Sequence, residues 1–431
     1  MKSLLEKLKE NNMKPYHMPG HKRRVIAEGL PYSIDITEIE GFDNLHDMQG
    51  EIKDIADRGA QIYRSVASYP LVNGSTCGIL AGIYSLTRDN KNILIARNCH
   101  KSVYNAAEIA GLAPTYIMPK TEKLGIMGKI TPESVEKALK GSDIGTVVIT
   151  SPTYEGVVSD VDAIYQVCKR YGAYLFVDAA HGAHFMEKAV KCDMCVMSLH
   201  KTLPALTQTA LLNICSDRVD KSLVQHALSI FETSSPSYVL LASIDECLRY
   251  VQENKDDFDE LARNLSFFYE NTASLHNMKV FCFDDPTKII IASSDGYLLA
   301  DLLRKNNIEV EMASDYYVLA IVTCQDKLGD LQILLDALDK IDKILPPYNA
   351  PETLPINLPQ KGDGTGQGEF CELDMCCGKI SKEYIWAYPP GVPLVAPNEI
   401  IDKDIIGYLK SKKNLKSTMG KYPNIYVKKV L

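Results

Sequence analysis

Short, nearly continuous apolar runs recur along the chain, separated by stretches whose apolar positions repeat every third or fourth residue. Ile93–Ala96, Thr146–Thr150, Ala173–Asp178 and Cys195–Ser198 read as strands covered on both faces, because they do not alternate between apolar and polar. Ser102–Ala110, Thr131–Leu139 and Val161–Tyr171 read as helices. Thr131 supplies an N-cap with Pro132 in the first turn, and Gly172 can close the last helix in a left-handed cap. Strand and helix in alternation predict an α/β domain, a mostly parallel sheet with helices on both sides. At the start, Ser3–Met13 places Leu4, Leu5 and Leu8 on one face, which predicts a helix lying on the body or on a second subunit.

After Asp284-Asp285-Pro286 the rhythm restarts as Lys288–Ala292, Tyr297–Lys305, Ile308–Met312, Tyr317–Thr323 and Leu328–Ile344, a βαββα order that suits a small α+β domain. Residues 346–368 hold Pro346, Pro347, Pro351, Pro355 and Pro359, then Gly362, Gly364, Gly366 and Gly368, and read as a linker or surface loop. The expected division is an N-terminal arm over 1–45, a large domain over 46–285 and a small C-terminal domain over 286–431. That last part includes Trp386 and the turn Tyr388-Pro389-Pro390-Gly391. There are no internal repeats.

Composition narrows the function. The 431 residues carry 47 Lys+Arg against 55 Asp+Glu, so a net charge of -8 leaves no basic face for nucleic acid. No apolar run is long enough to span a bilayer, and Met1–Glu10 lacks the apolar segment of a signal peptide, so a cytoplasmic protein is expected. Several of the twelve cysteines (Cys168, Cys195, Cys215, Cys247) sit inside apolar periodic runs and read as reduced core thiols.

The chemistry concentrates at the ends of the expected strands. Ser198-Leu199-His200-Lys201-Thr202-Leu203-Pro204 puts a lysine directly after a buried strand. Desolvation there would depress its pKa and expose the lone pair that a Schiff base requires; the competing reading is a lysine that snorkels to the surface. Asp178 ends the preceding strand, where ligands of open parallel sheets gather, and could keep a pyridinium nitrogen protonated or simply cap the next helix. Val72-Asn73-Gly74-Ser75-Thr76-Cys77-Gly78 opens a helix and offers a phosphate its backbone N–H groups, unless it is only a glycine turn. His100 follows the strand Ile93–Ala96 and could stack on an aromatic cofactor or be a structural histidine. His181-x-x-His184 with Cys192-x-x-Cys195 imitates zinc spacing. A structural zinc is not expected there, because Cys195 faces the core and the Asp178–His181 run already has a use, so no metal is assigned.

Seven segments in register resemble the fold type I pyridoxal-phosphate decarboxylases of ornithine, lysine and arginine. They are Pro19-Gly20-His21-Lys22, Asn73-Gly74-Ser75-Thr76, Asn98-Cys99-His100-Lys101-Ser102, Ser151-Pro152-Thr153-Tyr154-Glu155-Gly156, Asp178-Ala179-Ala180-His181-Gly182, Ser198-Leu199-His200-Lys201-Thr202 and Tyr388-Pro389-Pro390-Gly391-Val392-Pro393. The resemblance covers roughly residues 15–400. It implies a large domain of aspartate-aminotransferase type with a mostly parallel seven-stranded sheet. It also implies a small α+β C-terminal domain, pyridoxal 5'-phosphate as cofactor, and decarboxylation of arginine, lysine or ornithine in a polyamine-forming role.

By the same resemblance Lys201 carries the cofactor's Schiff base, Asp178 holds the pyridine nitrogen, and His100 stacks on the ring. Ser75, Thr76, Ser198 and His200 surround the phosphate, Thr153 lies near the phenolic oxygen, and His181 also contacts the cofactor. Reprotonation falls to Lys201 or His200. Thr233-Ser234-Ser235-Pro236 reaches the phosphate of a neighbouring subunit, which implies a homodimer with active sites at the subunit interface.

The chain departs from the family in three places. It begins about 18 residues before Pro19, like the short form without the N-terminal wing domain, so the large assemblies which that domain supports are not expected. The run Lys361–Gly368 is richer in glycine than the family segment, and Asn398 stands where glycine is usual. A basic substrate tail needs a carboxylate partner, for which Glu369, Glu372, Asp374 and Asp43 are candidates. The alternative on the same fold is another Cα lyase or an aminotransferase, which would need an arginine clamp such as Arg249 or Arg304. A further alternative is an inactive relative that regulates a partner enzyme.

Overall fold

In the computed structural model, residues 2–186, 189–349, 359–387, 391–411 and 414–429 are described. The central sheet has seven strands: β1 (Ala67–Leu71), β2 (Asn92–Ala96), β3 (Ala113–Ile117), β4 (Thr146–Thr150), β5 (Tyr174–Asp178), β6 (Met194–Ser198) and β7 (Ala210–Ile214). Their order is β1-β7-β6-β5-β4-β2-β3. Strands β2 to β6 run parallel to one another, and β7 runs antiparallel to both β6 and β1. This is the mostly parallel, helix-covered sheet that the sequence pattern predicts. Every residue of β4, β6 and β7 is buried, which is why apolar side chains predominate in these strands. The pattern did not mark β1, β3 or β7: β1 and β3 are edge strands carrying a proline, Pro70 and Pro114, as edges tolerate, and β7 is a buried central strand interrupted by the polar Asn213.

The helix Gly74–Leu86 is buried along most of its length between the sheet and its neighbours. Gly82 permits this, because a Cβ there would lie 2.3 Å from the Phe176 ring on β5. The helix is thereby seated with its first turn at the carboxyl edge of the sheet. Near the N-terminus the expected helix is shorter than its apolar pattern, Leu4–Glu10, with Ser3 and Glu6 forming a capping box. Leu4 and Leu8 are buried, and the Leu4 N–H donates to Asp245 on the helix Tyr238–Glu253, 2.9 Å away, so this arm lies on the body.

A second, antiparallel sheet has the order β10-β11-β9-β8, from β8 (Lys279–Phe281), β9 (Lys288–Ala292), β10 (Met312–Ala313) and β11 (Tyr317–Ile321). Helices Lys255–Asn271, Gly296–Lys305 and Leu328–Asp342 share its apolar core. The βαββα order is present, joined by β8 from upstream of residue 286, while the strand expected over Ile308–Met312 contracts to Met312–Ala313.

From Gly368 onward the chain builds a third unit with its own core, including Cys376, Ile385, Val395, Leu409 and Ile425. It contains a two-stranded and a three-stranded sheet with the helix Lys403–Ser411. Gly364 lies against the Asn398 side chain, whose Oδ1 a Cβ would meet at 1.8 Å, so close packing accounts for one glycine of the 361–368 run. Asn398 itself has φ +68, the left-handed region that glycine or asparagine occupies most readily, which accounts for the exchange of one for the other. The turn residues Tyr388, Pro389 and Pro390, and residues 350–358 of the proline-rich stretch, lie outside the described residues. No helix among the described residues is long and apolar enough to cross a membrane.

Candidate active site

The carboxyl ends of β2, β4, β5 and β6 open into a cavity of about 710 Å³. It is where parallel sheets place their ligands. The small sheet contributes Glu311, Met312, Ser314 and Tyr317 to its wall, and the C-terminal unit contributes Val392, Leu394 and Tyr408.

One end of the cavity is an anion site. Gly74 turns the chain at φ +76 into a helix of 13 residues that has no side-chain cap, since the Asn73 Oδ1 accepts instead from the Thr233 N–H at 3.2 Å. The first-turn N–H groups therefore stand beside Ser75 and Thr76 without a side-chain acceptor, and the helix dipole adds positive potential. The Ser198 hydroxyl, just behind the cavity wall, donates to the Ser75 Oγ at 2.9 Å.

At the centre, Lys201 sits in the short helix Leu199–Thr202 that follows β6. Burial lowers its pKa, with Asp178 and Glu311 partly restoring it. Its Nζ is 3.1 Å from the His181 Nε2. Asp178 ends β5 fully buried; burial raises its pKa, opposed by the Lys201 charge and by the Ala180 N–H, which donates to Oδ1 at 3.1 Å. His100 caps the helix Lys101–Ile109 by accepting from the Ser102 N–H, and burial with the Lys201 charge lowers its pKa to about 4, so the ring is neutral. His200 is also held neutral, by burial first, and its Nδ1 must carry the hydrogen because it faces the Thr209 carbonyl at 3.0 Å. Thr153 lines the cavity, its Oγ1 accepting from the Val157 N–H at 3.1 Å.

Thus Ser75, Thr76, His100, Thr153, Asp178, His181, His200 and Lys201 line one cavity, with Ser198 adjoining it through Ser75. Thr233 and Ser234 do not line it; they lie beyond Asn73, where the Thr233 carbonyl faces His46 Nε2 at 2.9 Å. None of the four acids considered for the substrate tail lines it either. Asp43 accepts backbone N–H groups from Asn44, Gln49, Ile52 and Lys53 and so fixes the start of the helix Glu51–Tyr63. Glu369 pairs with Lys379 and Asp374 with Lys410. Arg249 is paired with Asp245, and Arg304 with Asp301 and Glu309, all outside the cavity.

Two cavity carboxylates received no role from the sequence, although Glu155 stands within the Ser151–Gly156 segment. Glu155 is buried, its pKa raised by that burial, and it accepts from the Tyr317 hydroxyl at 3.1 Å, tying the two sheets together. Glu311 accepts from the Tyr154 hydroxyl, and the Tyr154 ring meets the edge of His181 at 4.8 Å between centroids. Nothing in its local sequence sets Glu311 apart. Lys288 did carry a signal, a lysine opening an apolar strand; it is fully buried, 3.7 Å from Asp285, which also contacts His184 at 3.2 Å. His181 and His184 are therefore engaged here, and the two histidines and two cysteines of the zinc-like spacing do not come together.

These residues fit pyridoxal 5'-phosphate. A buried carboxylate, a desolvated amine and an uncapped helix N-terminus face one cavity, and the buried His181 Nδ1 is left without a partner. The chain belongs to the Orn/Lys/Arg decarboxylase family: the family's major domain matches residues 1–290 and its C-terminal domain matches residues 363–423. An arginine decarboxylase of Bacillus anthracis is 30% identical over 459 residues, covering 96% of this chain and 92% of its own. The crystal structure of the Francisella novicida lysine decarboxylase superimposes with a TM-score of 0.83 at 18% identity, over 99% of this chain and 80% of that one. The constitutive lysine decarboxylase of Escherichia coli gives 0.81 at 19% identity, covering 99% of this chain and 81% of that one. The architecture is that of fold type I, as the sequence motifs implied.

Proposed function

We propose that this chain decarboxylates a basic amino acid, arginine, lysine or ornithine, with pyridoxal 5'-phosphate seated in the cavity described. The observation that carries the reading is the convergence of Lys201, Asp178, His100 and the open first turn at Ser75–Thr76 on one cavity. When bound, the cofactor supplies the sink for the electrons of the Cα–carboxylate bond.

The chain's own residues do the rest. Lys201, its amine favoured in the neutral form by burial, is the nucleophile for an aldehyde. Asp178 sets a negative charge in a desolvated site, where it holds a ring N–H cation far more strongly than it would in water. Ser75, Thr76 and the helix N-terminus bind the phosphate, assisted by Ser198 behind Ser75. His100, neutral at physiological pH, offers a flat uncharged face to a ring. Thr153 and His181 contribute polar contacts within the same wall. His200 presents an unprotonated Nε2 that can hold a proton, and Lys201 can return one to Cα. Glu311, on the small-sheet side of the wall, is the carboxylate for the substrate's distal cation.

Arg249 and Arg304 are engaged elsewhere, and no arginine is among the described residues of the cavity wall, which leaves the aminotransferase reading without its clamp. We further propose that Thr233 and Ser234 reach the phosphate site of a second copy in a homodimer, since they are partly exposed and stand outside their own cavity. The division into an arm (1–45), a cofactor domain (46–285) and a C-terminal part (286–431) belongs to the same proposal; the last part holds two cores, of which the first also takes in the helix Lys255–Asn271 and β8 from upstream. A cytoplasmic location consistent with twelve free cysteines belongs to it too.

The deciding experiment has two parts. Release of CO2 from arginine, lysine and ornithine is measured against a neutral amino acid, and borohydride trapping is followed by peptide mapping. Turnover of one basic substrate with the adduct on Lys201 is expected. Keto-acid formation without CO2, or an adduct on another lysine, overturns the reading.

A further inference from the structure

Three sulfurs cluster at the end of the central sheet opposite the active site. Cys195 lies in β6 and Cys215 follows the last residue of β7, which pairs antiparallel with it; Cys192 lies two residues before β6. In that pairing Cys195 faces Asn213, so Cys215, two residues further on, projects from the same face as its diagonal neighbour. The Cys195 and Cys215 Sγ atoms are 3.7 Å apart, and all three Sγ atoms lie within 4.8 Å of one another. Among the described residues this is the one group of three or more His, Cys, Asp or Glu side chains close enough to share an ion. Cys192 and Cys195 are buried, while Cys215 is half-buried and gives the group its access to solvent.

We propose that Cys192, Cys195 and Cys215 form a binding site for a soft d10 metal ion held by three thiolates. The spacing suits it: metal–sulfur bonds of about 2.3 Å in tetrahedral geometry set sulfurs about 3.8 Å apart, so the Cys195–Cys215 pair is already at ligand spacing and the wider pairs close by roughly 1 Å. Thiolate sulfur selects soft ions over the hard cations that prefer oxygen. A divalent ion bound by all three sulfurs displaces three thiol protons and leaves the cluster with one net negative charge. The unpartnered Asn213 Nδ2, buried on β7, is a donor available to such a cluster. The site is independent of the decarboxylase chemistry, since its residues do not line the active-site cavity.

Cadmium(II) is the probe. The cofactor-loaded protein, freed of metal with a chelator, is titrated while the thiolate-to-metal charge-transfer band is followed in the ultraviolet. One equivalent per chain is expected, at least tenfold weaker binding in Cys215→Ser, and no change in Cys377→Ser, which removes an exposed thiol elsewhere. Alkylation with peptide mapping on the unaltered protein, with and without one equivalent of cadmium, decides the matter even if Cys215→Ser misfolds: Cys215 should be shielded by the ion. Absence of the band, a band unaffected by Cys215→Ser, or equal labelling of Cys215 in both conditions overturns the proposal.

Discussion

Removing the Glu399 carboxylate should detach the C-terminal unit from the cofactor domain and impair the active site at a distance. Glu399 is 1% exposed, and its Oε2 lies 2.8 Å from the Nη2 of Arg97, which is 2% exposed and follows β2 in the large domain. The same Arg97 nitrogen donates to the Leu394 carbonyl at 3.2 Å, and the guanidinium lies over the Tyr116 ring at 4.9 Å. At that separation, with an effective dielectric constant of about 20, the gross attraction is about 6 kcal/mol, most of which offsets desolvation of the two ions. Glu399→Ala leaves the arginine buried without its partner, with a cost of about 3–5 kcal/mol. Leu394, which lines the cavity, is held by the same arginine, so KM should rise before global unfolding. Denaturant titration of Glu399→Ala, Arg97→Met and the double variant, alongside steady-state kinetics, measures the coupling. A double-mutant coupling below about 0.5 kcal/mol, or Glu399→Ala with unchanged stability and KM, would refute the reasoning.

Burial of neutral His100, with a folded-state pKa of about 4 against an ordinary 6.5, contributes stability that is complete above pH 6.5 and is lost as pH falls toward 4, up to about 3 kcal/mol. His100→Asn, which keeps a helix cap, should flatten the stability–pH curve over that window; parallel curves for the two proteins would contradict this. Gly82→Ala drives a methyl group into the Phe176 ring and should lower stability by roughly 1–3 kcal/mol despite the better helix propensity of alanine, as measured by thermal unfolding; a neutral or stabilised variant would show that the helix shifts freely. Glu311→Gln should raise KM for the basic substrate roughly ten- to hundredfold with a smaller effect on kcat, and an unchanged KM would move the substrate's cation elsewhere.

The strands that end at the active site were legible from sequence because burial on both faces demands unbroken apolar runs, and the residues placed after Ile93–Ala96, Ala173–Asp178 and Cys195–Ser198 do share one cavity. An unbroken apolar run marks a buried strand, and the strands without one passed unmarked: the edges β1 and β3, which carry prolines, and the buried β7, whose run is broken by Asn213. The Ser75–Thr76 turn, Asp178, Lys201 and His100 were set by local sequence, since each lies at a strand end or helix start whose geometry short-range rules describe.

What only the tertiary structure decided is which distant groups meet them. Glu311 and Tyr317 arrive from the small sheet, and Leu394 and Tyr408 from the third unit, because the packing of separate cores carries residues far apart in sequence into one wall. Asp43, plausible on paper as a substrate anchor, is taken up by backbone N–H groups. The antiparallel register of β6 and β7 brings Cys215 against Cys195, where a spacing rule had pointed to histidines. Sequence period reports how a residue faces its own element; contact between elements depends on how whole surfaces fit, and that is a property of the folded chain.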